Sequence, residues 1–177
     1  MIIMIKTILL FCVLFTGTLA IAADQTKSIK SPDGKLTARI LSIQKAKEGP
    51  PEFIIEIIDA DKKLVAREDF TSKEGDQGLS IDNAKWSPDS QFFVFSTFSS
   101  GGHMAWQFPS YFYSQTDKRI HDFADYLSPI AEGDFVLKSP DKITITIWTP
   151  MTVEKPLDKS IELPISFRMR DLMRPKK

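Results

Sequence analysis

The chain has 177 residues, 23 basic against 23 acidic, 42% hydrophobic residues and a single cysteine. That balance excludes association driven by net charge, whether with nucleic acid or with an anionic membrane surface. One thiol also excludes an intrachain disulfide framework, so stability must come from a packed core.

The first segment is a targeting signal rather than part of the fold. Residues 1–6 carry one lysine and no acid, 7–19 are an almost unbroken apolar run, and Ala20, Ile21 and Ala22 supply a small-x-small cleavage pattern. The run is shorter than the roughly 20 residues of a membrane span. We therefore read 1–22 as a secretory signal peptide, with no stable membrane anchor left after cleavage. Cys12 follows Phe11 and not a small residue, so it does not read as a lipid-attachment site, and cleavage removes it. Residues 23–177 then carry 22 basic against 23 acidic side chains and suit one domain. Its basic C-terminus, from Arg168 onwards, is expected to fray.

Strand signals fill the domain. Thr26–Lys30 and Leu36–Ile43 flank the turn Ser31-Pro-Asp-Gly34, and Glu52–Asp59 follows the breaker Gly49-Pro-Pro51. A turn at 59–62 leads into a strand over 64–70, then a polar loop over 71–78. Leu79–Trp86 precedes the most apolar strand, 91–98. There Phe92, Val94, Ser96 and Phe98 alternate with Phe93, Phe95 and Thr97, so both faces are largely apolar and both should be covered. Short strands are expected at 109–115 and 119–123, a single helical turn within 125–132, and strands at 135–137, 143–148 and 161–167. No long segment has a helical period. The expected fold is all-β.

Ser-Pro-Asp occurs at residues 31, 87 and 139, each time just before a β-rich run. Proline presets the first corner of a turn and aspartate can accept from the amides beyond it. Spacings of 56 and 52 residues are those of repeated supersecondary units. The stretch from Trp86 through Ser87, Pro88 and Asp89 into Phe92–Phe95 resembles the TolB-type β-propeller repeat, in which the turn joins the first two strands of a four-stranded blade. The resemblance implies an antiparallel meander of about three four-stranded blade-like units. The third would use 135–138, 143–148, a poor strand near Val153, and 161–167. Glycine follows the aspartate only at Gly34, and only the second copy has the tryptophan. Three units do not readily close a ring of four to eight blades. A partial propeller, a two-chain ring and a two-layer β-sandwich remain the alternatives.

The loop after the apolar strand is the candidate site. Ser99, Ser100, Gly101 and Gly102 can expose successive amides, His103 adds a polar ring, and Trp106, Phe108 and Tyr111 add flat apolar ones. Either these aromatics bind a ligand or partner, or they fold back as a lid on the sheet. No catalytic constellation is expected: the mature chain lacks a thiol, its histidines are His103 and His121 alone, and no G-x-S-x-G is present. No metal site and no cofactor are expected, since His121, Asp122 and Asp125 make a solvated turn better than a zinc site. The sequence thus points to an exported bacterial protein, periplasmic or secreted, that is non-enzymatic and binds another envelope protein. Two alternatives are an envelope hydrolase using paired carboxylates near His103, and a structural subunit that pairs through the 161–167 edge strand.

Overall fold

The computed structural model describes residues 25–103, 107–149 and 162–174. The leader over 1–22, Trp106 and the strand expected near Val153 lie outside them. The described chain is all-β, with strands β1 (Thr26–Lys30), β2 (Leu36–Ile43), β3 (Glu52–Asp59), β4 (Leu64–Asp69), β5 (Leu79–Trp86), β6 (Phe92–Ser99), β7 (Ser110–Ser114), β8 (Arg119–Asp122), β9 (Ile130–Lys138), β10 (Lys142–Trp148) and β11 (Glu162–Arg168). They form three antiparallel meanders, β1-β2-β3-β4, β5-β6-β7-β8 and β9-β10-β11, and none closes into a barrel.

The sheets stack as three layers because β6 is apolar on both faces. Its Phe93 and Phe95 pack with Trp86 and Tyr113 against Ala38, Ile40, Phe53, Ile55 and Ile57 of the first sheet. Its Phe92 and Val94 pack with Phe112 against Phe135, Ile143, Ile145 and Ile147 of the third. Phe93 and Phe95 are fully enclosed, and burial of each such ring contributes roughly 1.5–3 kcal/mol. The far side of the first sheet is wet. There Glu56 sits between Arg39 at 3.4 Å and Arg67 at 2.6 Å, a row of charge across three strands.

The first two Ser-Pro-Asp turns have the same wiring. Ser31 and Ser87 each donate a hydroxyl proton to the aspartate two residues on, at 2.7 Å in both turns. The same hydroxyls accept from Leu36 N–H and Phe92 N–H, both at 3.0 Å. The residue after each aspartate is left-handed, Gly34 at φ 72° and Ser90 at φ 64°. Glycine suits that position sterically; at Ser90 the hydroxyl has a use, since it accepts from Asp33 N–H at 3.0 Å and so joins the two turns. The third copy departs from this pattern. Its Ser139–Pro140 bond is cis, Ser139 is exposed and Asp141 is buried.

Two expectations are corrected. The chain after β11 does not fray at Arg168: Met169–Leu172 form a short helix, α1, with Met169 fully buried in the core between the second and third sheets. Arg170 then donates to Asp141 Oδ2 at 2.7 Å and lies 3.5 Å from Asp89, clasping two of the turns. The helical turn falls at Phe123–Asp125, not within 125–132, because Asp122 caps it by accepting from Ala124 N–H. Ile130 onwards is strand, with a register shift opposite Ile145 and Ile147 accommodating Glu132, Gly133 and Asp134.

Candidate functional site

Up-and-down meanders place their connections at two ends. The Ser-Pro-Asp turns and the hairpins at 60–63 and 115–118 lie at one end; the connections 44–51, 70–78 and 123–129, with 100–103 and 107–109, lie at the other. The described site residues inferred from sequence, Trp106 not being among them, belong to this second, loop end, and the structure divides them into two groups.

Ser99 to His103 lean on the first sheet. Their centre is Glu52, a buried carboxylate that the alternation of β3 disguises as an ordinary surface acid. It accepts from Ser72 N–H at 2.6 Å, the Ser72 hydroxyl at 2.8 Å, Gly78 N–H at 2.6 Å and the Ser100 hydroxyl at 2.8 Å. Burial acts to raise its carboxyl, and those donors override it and hold the group below its ordinary value. The expected open row of amides is not formed. Ser100, Gly102 and His103 donate their N–H groups inward, to Gly78 O, Ser99 O and Ser99 Oγ. Ser99 itself is buried, while Gly101, Gly102 and His103 are exposed.

Phe108 and Tyr111 lie on the other side. Phe108 N–H donates to Ile130 O at 2.9 Å, and Pro109 O accepts from Thr97 N–H at 2.9 Å, which pins the segment between the second and third sheets. Phe108 is half-buried, with part of its ring against the core behind it. Tyr111 stacks on Phe95, centroids 5.4 Å apart, and tilts against Phe70 at 4.8 Å. Both rings therefore have one side in the core. Both residues line a hollow of about 360 Å³ with Pro109, Asp122, Leu127 and Ile130. Asp122, directly across from Tyr111 on β8, is half-buried there. Burial raises its carboxyl against the Ala124 N–H, and Asp125 adds to the rise. Burial, then Asp122 and Glu68, push the Tyr111 phenol up to about 12.

A second cluster has the look of a proton relay. His121 Nε2 is 2.9 Å from Asp117 Oδ2, and its Nδ1 is 3.2 Å from the Tyr126 hydroxyl. The ring lies flat on Phe112, centroids 5.0 Å apart. The Tyr126 phenol is raised, first by burial and then by Asp125 and Asp117, so it stays protonated in its contact with Nδ1. The row fastens β8 to the turn that follows and presents no activated nucleophile. Among the described residues no three histidine, aspartate or glutamate side chains gather as a metal-binding group.

Sequence reasoning named Phe108 and Tyr111 as candidates, read Asp122 as part of a solvated turn, and did not single out Glu52 or the hollow. An aspartate before a one-turn helix was a readable cap signal at Asp122; Glu52 had none. No protein-family model matches the chain, and no curated protein matches it either.

Proposed function

We propose that the protein is a non-enzymatic binding or accessory protein of the bacterial envelope, acting through another envelope protein that seats on the loop end beside Phe108. The observation that carries this reading is the hollow of about 360 Å³ with half-buried aromatic walls on a rigid sheet. The reading of 1–22 as an export leader supports the location. The likeness of the Trp86 turn to TolB-type repeats, which work through protein partners, supports the mode of action. Glu52 weighs against a hydrolase at the Ser99–His103 side, because a carboxylate held by four donors is fixed in its ionised form and does not shuttle protons.

The test is site-specific photocrosslinking in cells, with the photoreactive residue at Ala124, an exposed position on the rim of the hollow. Thr144, on the outward face of the third sheet, serves as the control. A discrete protein adduct from position 124 and none from 144 supports the reading. No adduct at 124, or the same adducts at both positions, overturns it.

A second reading rests on β11. The first two sheets have four strands, while the third has three among the described residues and ends on β11, which pairs with β10 alone. Such an edge can take a strand from another chain. Pro164 removes one donor from it. A strictly monomeric mass in solution removes self-pairing through this edge and the two-chain ring together.

A further inference from the structure

The partner surface has a definite charge. A second hollow, of about 340 Å³, shares Phe108 with the first and is lined otherwise by Asp82, Glu132, Gly133 and Asp134. The charged lining of the two is Asp122 in one and Asp82, Glu132 and Asp134 in the other, with no lysine or arginine in either. Among the described residues none of the four carboxylates is ion-paired. Neutral groups hold them instead. Ala124 N–H donates to Asp122 at 2.8 Å and the Thr146 hydroxyl to Glu132 at 2.8 Å. The Ser96 hydroxyl donates to Gly133 O at 2.6 Å and lies 3.4 Å from Asp82, and the Asn83 amide is 3.4 Å from Asp134. Neutral donors orient a carboxylate without cancelling its charge.

Two details keep this charge beside the aromatic ring. The one lysine of β5, Lys85, lies over the Phe135 ring, 5.5 Å from its centroid, and is not part of either lining. Gly133 lets Asp82 and Phe108 close on the same backbone: a Cβ there would overlap the Asp82 carboxylate and press on the Phe108 ring. The contrast with the turn end is direct, since Asp89 and Asp141 share Arg170 and Asp33 has Lys35. On a chain of balanced total charge, the described residues around Phe108 leave that surface negative.

We infer that the occupant is a basic segment of the partner protein, with an apolar side chain in the larger hollow against Phe108 and Ile130. Flanking lysine or arginine side chains then meet Asp122 on one side and Asp82 and Asp134 on the other, while Glu132, bonded to Thr146, turns towards the outward face of the third sheet. This deepens the partner-binding reading and rests on it. The apolar anchor supplies most of the affinity, and the carboxylates set encounter rate, orientation and choice of partner. The same charge disfavours a nucleic acid or an anionic lipid surface.

The experiment is an NMR titration of the ¹⁵N-labelled protein with three short peptides. Each keeps a central leucine, flanked by lysine, by glutamine or by glutamate. The lysine peptide should shift the amides of Phe108, Asp122, Ile130 and Asp134 and bind about tenfold more tightly than the glutamine peptide at low salt. The glutamate peptide should shift none of them. The lysine advantage should shrink in 0.5 M salt, where the Debye length falls from about 30 Å at 10 mM to about 4 Å, and in an Asp82→Asn, Asp134→Asn double variant. Equal binding of all three peptides at these amides overturns the charge assignment and leaves the hollow as a partner site. Absence of shifts around Phe108 with every peptide overturns both.

Discussion

The two ends of the sheet stack treat polar groups in opposite ways. At the turn end they tie one sheet to the next: Asp33 N–H to Ser90, Trp86 Nε1–H to Ile29 O at 2.9 Å, Asp89 N–H to Pro140 O, and Arg170 across Asp89 and Asp141. At the loop end, Glu52 does the same for one half, while the carboxylates around Phe108 have no ion-pair partner among the described residues. The linking groups at the turn end are paired with one another, Asp141 through Oδ2 while its Oδ1 stays without a partner among the described residues, whereas Asp122, Asp82 and Asp134 border two open hollows. Substitution should therefore register as lost stability in the first set and as lost binding in the second.

Glu52→Ala should be the most damaging single change, because it leaves four half-buried donors from two connections without an acceptor. We expect a loss of about 3–5 kcal/mol in urea unfolding, with faster amide exchange across 72–78 and 99–102. A loss under 1 kcal/mol would place Glu52 with the dispensable acids and blur the division between the two sets.

Acid should strike both ends. Glu52 and Asp141 are each held below their ordinary values of 4.5 and 3.8, burial acting to raise them and hydrogen bonds overriding it, those of Asp141 coming from Arg170. A carboxyl depressed in the folded state contributes stability that is complete above its unfolded value and is lost as pH falls through the folded one. The melting temperature should hold steady down to about pH 5 and then decline. Glu52→Gln and Asp141→Asn should each lower it at neutral pH and flatten that decline. Asp134→Asn should leave the melting temperature at neutral pH unchanged.

Within the turn end, two substitutions separate hydrogen bonding from backbone strain. Trp86→Phe removes the indole bond to Ile29 and should cost about 1–2 kcal/mol. Ser90→Gly removes the bond from Asp33 but relaxes a left-handed residue, so the two effects should offset to within about 0.5 kcal/mol. The smallest signal is spectroscopic. The phenols at 111, 113 and 126 are all raised by burial and neighbouring acids, Tyr111 to about 12. Alkaline titration should therefore show little tyrosinate absorbance at pH 10 until the protein unfolds, and Asp122→Asn should bring Tyr111 down slightly.

Much of the fold was legible because its signals are local. Alternation in residues 92–98 announced a strand covered on both faces, and serine, proline and aspartate marked the turns. The likeness of the first two turns extends to individual hydrogen bonds, whereas the third shares only the three letters: a cis bond and a buried Asp141 replace the serine wiring. α1 escaped notice because four residues carry no period, and Met169 reads as tail until the third sheet is placed beside it. Glu52 was illegible for a different reason. Its donors come from residues 72, 78 and 100, and only folding brings them to one carboxylate. Phe108 and Tyr111 were found as aromatics after a glycine loop, but the hollow they share with Asp122 and Ile130 is a product of two sheets meeting.

Each strand of the stack pairs only with its neighbours in sequence. Sheet formation is thus a local event in folding, and the long-range step is docking. The middle sheet alone needs cover on both faces, from Phe93 and Phe95 on one side and Phe92 and Val94 on the other. Opening either outer sheet would put phenylalanine in water, so neither can peel away at low cost. Amide exchange in β6 should then report the global opening of the molecule, and the outer sheets should open with it as one cooperative unit.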